Sequence, residues 1–530
     1  MRSPFFRSCL LPAILAAVVV AGCKAPPPKA YQGEGKLVAA GPAREVIAAP
    51  DGGAVAWLAA PDLAKDKGHN ASDQTFIGTA TFAPMGAPVT MGPGVATLPG
   101  SFFFSPTGAQ VGALTRWSFK LQRGTLVVGD VAQSRARTVA EQVSFFAFSS
   151  DGARLGYVAE NVLFVGPADG SRPAERIAEQ IATFDFSPDG KSLVARRRAL
   201  GGGQLVHADL EKGGEPRIVG EKVADYRWSP DGSRVAFTAR NDEGTADLFV
   251  EKAGAKAERV GKGVTAFRYA PDGKHLAFIG DVTPKKQFGD LFVLGEDGAA
   301  VKIGEDVTEL DFDPKGRRLA WLDKYNPHNR GGVLTWAELS AKPEARKLGS
   351  NVPSFVWSHD GSRLAYVQRQ LAPVFSIDLY LATVGAEGDP AKVAQGVFGY
   401  SFATRDDRLY FRTQCIRNGR ACDLQSVDVA HPAGAVRMIA KAIHTFEPAD
   451  ADESTLLVTY ARTDADALDL AMVPADGSSK PRMLDERVLA GTKILRGGKA
   501  RVAYAVLDPA RLGVYVADAP AFDATAEGAR

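Results

Sequence analysis

The sequence predicts an all-β fold, a β-propeller of four-stranded antiparallel blades. Three observations predict it: one phrase repeats along most of the chain, its period is that of a four-stranded blade, and each copy reads as short strands joined by tight turns. The phrase is aromatic, any residue, aromatic, then Ser-Pro-Asp-Gly or a variant, then a basic residue and a short apolar strand. It reads FAFSSDGARLGYV from Phe146, FDFSPDGKSLVA from Phe184 and YRWSPDGSRVAF from Tyr226. It continues as FRYAPDGKHLAF from Phe267, LDFDPKGRRLAW from Leu310 and FVWSHDGSRLAY from Phe355.

The turn glycines are Gly152, Gly190, Gly232, Gly273, Gly316 and Gly361, spaced by 38, 42, 41, 43 and 45 residues. A period near 40–45 residues is the signature of four-stranded propeller blades. Weaker copies begin at Val46, Phe102, Tyr400, Phe446 and Lys493, giving about eleven units over nearly the whole chain after its first 40 residues. Within a unit, Tyr226 and Trp228 share one strand face and Arg227 takes the other, the period-two pattern of a strand. Pro230 presets the backbone of a tight turn that Asp231 and Gly232 complete. A second apolar strand and a short strand after a basic residue follow, as in DLFVEKAG before ERVGKG. A sheet with two apolar faces must cover both, and a ring of neighbours does so. Eleven blades exceed the four to eight typical of one ring, so two tandem propellers are expected, with one large ring as the alternative and no composition break to place a boundary. Lys36–Ala40 resembles a stray fourth strand able to complete the last blade, after which Gly513–Ala517 has no successor.

The phrase resembles the TolB-like, WD-type Pro-Asp-Gly repeats of periplasmic propellers. The resemblance implies the propeller fold over most of residues 37–520, and the Ala-rich stretch at 521–530 is expected to be a disordered tail. TolB-like proteins carry a small α/β domain before the propeller, and this chain has no room for one.

At the N-terminus, Arg2 and Arg7 precede an apolar run from Leu10 to Ala21, too short for the roughly 20 residues that span a bilayer and suited to a signal peptide, residues 1–22. The run ends Val20-Ala21-Gly22-Cys23, which resembles the lipobox of bacterial lipoproteins. The resemblance implies lipidation of Cys23 and a place in the cell envelope, on the outer membrane and facing the periplasm; Pro26 to Pro28, Gly33 and Gly35 make residues 23–36 an expected flexible tether. The remaining pair, Cys415 and Cys422, flanks Asn418-Gly419, a strong two-residue hairpin turn. Counting outward from that turn sets the two cysteines opposite each other, so a disulfide is expected.

The 63 basic and 61 acidic residues give no excess that would favour nucleic acid. No Gly-x-Ser-x-Gly elbow occurs, no histidine pair has metal-ligand spacing, and nothing asks for a cofactor. The turn aspartates Asp151, Asp189, Asp231, Asp272 and Asp360 are read as structural, each in its own turn, and the acidic runs at Asp450–Glu453 and Asp464–Asp466 as polar loops. Longer loops are better places for contact residues. Three stand out, at residues 62–74, 280–288 and 323–332, the last carrying Tyr325, His328 and Arg330 as a candidate binding surface. The expected role is binding or scaffolding for a protein or cell-envelope component, without catalysis. The alternative is an enzyme acting on an envelope glycan or peptide through a site built across blades.

Overall fold

The computed structural model describes residues 33–522, apart from 61–76, 84–86, 200–201, 253, 283–287, 296–297, 329, 341–342, 371–375, 417, 463–466, 492, 496–500 and 520–521. Cys23, the signal segment and most of the expected tether and tail lie outside the described residues. The described residues form one compact unit. All regular structure among the described residues is β, in antiparallel sheets.

Among the described residues, eleven blades follow one another, each an up-and-down sheet of four strands. Blade 6 is the simplest case: Ala266–Tyr269, Leu276–Gly280, Gly289–Leu294 and Ala300–Val307, paired in that order. The blades begin at Ala43, Phe102, the second half of Arg135–Phe148, Ile181, the end of Arg217–Trp228, Ala266, Glu309, Ser354, Gly399, Thr445 and Lys493. The strands Arg135–Phe148 and Arg217–Trp228 each serve two blades, outermost in one and first in the next.

Eleven apolar cores lie between consecutive blades. Ala56, Leu58 and Phe82 of blade 1 pack on Phe102, Val111 and Val127 of blade 2. The series continues without a break to the core of blades 10 and 11, with Leu457, Leu470, Val502 and Tyr504. The eleventh core joins the ends: Val46, Val55 and Trp57 of blade 1 pack on Leu495, Ala503, Val514 and Val516 of blade 11. Two tandem rings would need blade 1 to close on a blade midway along the chain. Its second face is instead covered by blade 11, so the alternative of one large ring is the one observed.

The closing blade is composite. Lys493–Leu495, Arg501–Val506 and Gly513–Asp518 supply three strands, and Lys36–Ala40 from the other end of the chain supplies the fourth, with Lys36 opposite Val516 and Ala40 opposite Gly513. The expected completion of the last blade by Lys36–Ala40 is therefore present. The strap begins before the strand: Glu34 N donates to Leu484 O (3.0 Å), and its carboxylate accepts from Arg482 (2.8 and 3.0 Å). Beneath it lies a fully buried carboxylate. Asp485 accepts two bonds from Arg511 (2.9 and 2.7 Å) and one from Tyr504 (3.1 Å). A Cβ on Gly33 would fall 1.9 Å from Asp485 Oδ2, so only glycine lets the strap cross there.

The Pro-Asp-Gly turns do more than reverse the chain. In blades 3, 4, 5 and 8 a buried serine (Ser149, Ser187, Ser229, Ser358) donates to the turn aspartate two residues on, at 2.5–2.6 Å. The same serine accepts the backbone N–H five residues on, as from Arg154 at 2.9 Å. The Ser149 hydroxyl and the Ala153 N–H hold Asp151 below the usual carboxylate range. Burial resists ionisation of Asp360, but hydrogen bonds from Ser358 and Ser362 overcome it and bring this group down to about 2. The structural reading of these aspartates fits this geometry, and neighbouring turns also touch. Arg318 donates to Gly361 O of the next blade (2.8 Å), and Arg501 of blade 11 donates to Gly52 O of blade 1 (2.9 Å). The collar of turns thus closes where the cores close.

A further repeat lies where the chain leaves an outer strand for the next blade. A residue with positive φ stands there: Gln142, Gln180, Lys222, Gly263, Asp306, Asn351, Gly396, Ala442 and Arg487. The next residue in every case is a buried valine or isoleucine, at positions 143, 181, 223, 264, 307, 352, 397, 443 and 488. The left-handed kink turns the chain and drives this β-branched side chain into the inter-blade core.

Cys415 and Cys422 form the expected disulfide, with Cα atoms 4.1 Å apart. It staples the hairpin in which Ile416 faces Ala421.

Two predictions follow from this packing. Ala442 has neither a polar side chain to stabilise its left-handed conformation nor the freedom of glycine, and such a residue costs about 1–2 kcal/mol. Ala442→Gly is expected to raise unfolding stability by about 1 kcal/mol in denaturant titration, after glycine's own entropic cost. Asp485→Ala strips Arg511 of its buried partner and is expected to cost about 3 kcal/mol. A loss below about 1 kcal/mol would show that the strap closes the ring without that pair.

Candidate functional site

First strands of consecutive blades lie close enough to bond side chain to backbone. Trp228 Nε1 of blade 5 donates to Asp185 O of blade 4 (3.4 Å), and Trp357 Nε1 of blade 8 to Asp311 O of blade 7 (3.1 Å). Ser354 of blade 8 bonds the Tyr400 hydroxyl of blade 9 (3.1 Å). These strands therefore form the inner wall of the ring. The middle residue of each aromatic-x-aromatic triplet stands along that wall. In blades 1 to 3 it is Ile47, Phe103 and Ala147; in blades 4 to 7 it is Asp185, Arg227, Arg268 and Asp311.

Within this charged arc lies a cleft of about 440 Å³, lined by Asp185, Tyr226, Arg227, Trp228, Pro230, Arg268 and Tyr269. Its rings are held in place. Trp228 is fixed by its bond to Asp185 O and by an edge-on contact with His207 (5.4 Å). Tyr226 shares hydrogen bonds with Asp185 and Thr183, and burial pushes its phenol well above the usual range. Tyr269 is 7% exposed, and its hydroxyl is buried without a hydrogen-bond partner. The guanidinium of Arg234 lies 5.7 Å from the centre of its ring. The two cleft arginines remain open to solvent, with side chains 61% and 56% exposed. Arg227 is 3.9 Å from Asp225 and lies over the Phe267 ring, while Arg268 pairs with Asp311.

Burial raises the acid groups of this wall. It lifts Asp185, aided by the charge of Asp225 and opposed by the Tyr226 hydroxyl. It lifts Asp311 against the pull of Arg268, and Glu309 with help from Asp311. Perturbed groups gathered in a concave site are a mark of functional surfaces. Behind the cleft, fully buried Glu251 pairs with Arg217 and lies 3.4 Å from His207 Nδ1; its second oxygen has no partner.

A larger groove of about 640 Å³ lies between blades 3 and 4, lined by Arg154, Arg172 and Glu175 among others. It has no aromatic side chain, and its acids Asp209 and Glu211 already meet Lys212 and Lys191. Fixed rings, open cations and desolvated acids make the smaller inner cleft the better candidate.

The residues singled out from sequence sit elsewhere. Tyr325 is half-buried, its ring 5.3 Å from that of Phe288, joining the loops of blades 6 and 7. His328 is exposed, with its backbone N–H and Nδ1 on Asn326 Oδ1 (3.0 and 3.3 Å). Arg330 is exposed and has φ of 49°. None of the three lines the inner cleft. Residues 62–74, 283–287 and 464–466 lie outside the described residues. The inner-wall residues escaped notice because they occupy the variable position of the repeat; the signal was four consecutive blades with a charge there.

Asp185 supplies a test of this electrostatic picture. A carboxyl whose folded pKa is raised loses stability as pH climbs from its unfolded value, near 4, through the folded one. Asp185→Asn keeps an acceptor for Tyr226 and removes the charge. Its melting temperature at pH 7 should equal or exceed that of the native protein, and the native protein's loss over that pH window should shrink in the variant.

No protein-family model matches the chain, and no curated protein matches it. Crystal structures that it resembles include one of a eukaryotic initiation factor, at 14% identity and a TM-score of 0.42, covering 66% of this chain and 87% of that one. Another is of the tricorn protease, at 11% identity and a TM-score of 0.31, covering 91% of this chain and 61% of that one.

Proposed function

We propose that this chain is a lipid-anchored propeller of the bacterial cell envelope that binds a protein or envelope component on its inner wall. The observation that carries the reading is the cleft of blades 4 to 6, where fixed aromatic rings and open arginines share one concave surface on a closed, rigid ring. Binding sites are typically concave, preformed and built from aromatic surface with a few placed polar groups. The lipobox-like Val20-Ala21-Gly22-Cys23 supports the anchor, with the diacylglycerol carried on the Cys23 thiol and the ring facing the periplasm from the outer membrane. The likeness to TolB-like repeats supports the same compartment. In this reading the ring is a scaffold, and recognition is carried by side chains on its inner strands.

The experiment has two arms. Cys23→Ser is expected to move the protein from the membrane fraction to the soluble fraction; unchanged sedimentation with membranes would refute the anchor. A photo-crosslinking residue in place of Arg227, introduced in living cells, should give a discrete adduct with an envelope macromolecule. The same residue at Glu387, exposed on blade 8, should not. Identical adducts from both positions, or none from Arg227, would overturn the binding reading.

A further inference from the structure

Resting on that reading, we infer that the ligand of the inner-wall cleft is an acidic saccharide, a sugar chain bearing carboxylates. Three features of the cleft select this chemistry together. Arg227 and Arg268 present guanidinium groups that are more than half exposed, and a guanidinium fork matches a carboxylate in two parallel hydrogen bonds. Each stands beside an aspartate, Asp225 and Asp311, so each is a charge pair able to bond a carboxylate through its cation and a neighbouring hydroxyl through its anion. Between them, Tyr226 and Trp228 supply ring surface, the kind of flat apolar platform on which the C–H face of a pyranose rests.

The second, independent mark is Tyr269. It is more than nine-tenths buried, it lines the cleft, and its hydroxyl has no hydrogen-bond partner. An unmade bond of this kind costs about 1–3 kcal/mol, and a sugar hydroxyl, both donor and acceptor, would satisfy it once a small rotation of the ring opens the buried hydroxyl to the cleft. A purely cationic ligand would face two open arginines. A neutral sugar would offer the solvent-exposed N–H groups of the two guanidiniums no charged acceptor beyond Asp225 and Asp311. The volume of about 440 Å³ is within the range of small-ligand sites.

The test uses the full-length protein in detergent micelles and calorimetric titration with four probes: hyaluronan hexamer, alginate hexamer, neutral maltohexaose and hexaglutamate. At least one uronate probe is expected to bind, and maltohexaose at least tenfold more weakly. Arg227→Ala should weaken uronate binding at least fivefold. Tyr269→Phe should weaken it several-fold while leaving the melting temperature equal or higher, because the free protein makes no bond through that hydroxyl. A merely structural tyrosine would show the opposite split. The inference is overturned if neither uronate binds, if maltohexaose binds equally, if hexaglutamate alone binds, or if both variants keep native affinity. A crosslink from Arg227 to an envelope protein without uronate binding would leave the binding role standing and remove only the saccharide.

Discussion

A four-stranded sheet with two apolar faces is stable only between two neighbours, and every blade of this protein depends on that constraint. Ten inter-blade cores form between segments adjacent in sequence. The eleventh, between Val46, Val55 and Trp57 on one side and Ala503, Val514 and Val516 on the other, joins segments more than 400 residues apart. Without it two large apolar faces would stand in water. Three separate interactions meet at that seam: the apolar core, the Lys36–Ala40 strand and the Arg501 bond to Gly52. The buried Asp485–Arg511 pair lies directly beneath the strap, at the point where Gly33 passes over Asp485.

Much of the fold was legible in the sequence because its signals are local. Tyr226-Arg227-Trp228 alternates within one strand, and Ser229 to Gly232 carries its own turn chemistry, so both can be read without knowing what lies next to them. The hairpin around Asn418-Gly419 placed Cys415 opposite Cys422 by counting alone. The number of rings was not legible, since it depends on which distant blade meets Val46 and Trp57, and apolar residues do not specify their partners at that range. The left-handed kink was also hidden. Glutamine, lysine, aspartate, asparagine, alanine, arginine and glycine all occupy it, so only the valine or isoleucine that follows, as at Val143 and Ile443, marks the place.

The candidate site was obscured for a related reason. A repeat is found through what recurs, while recognition falls to what does not. Tyr226, Trp228 and Tyr269 are repeat residues with a structural explanation in every blade, and Asp185, Arg227, Arg268 and Asp311 are the variable residues between them. Assembly of the ring brings the two classes onto one wall. It also removes enough water to raise Asp185, Glu309 and Asp311, an effect of burial that no local pattern carries. The loop residues Tyr325, His328 and Arg330 looked more distinctive in one dimension, and none of them lines this cleft.

The composite blade has one more consequence. Lys36 lies opposite Val516 in adjacent antiparallel strands, so the two ends of the folded unit are already neighbours. Where a chain starts is then a matter of genetics rather than of architecture. A short linker joining these ends, with new termini opened in an exposed loop such as that after Thr383, would give a circular permutant with every strand pairing intact. Such a permutant would carry its termini on a different sector of the rim, which offers a way to turn the inner cleft relative to anything fused to either end.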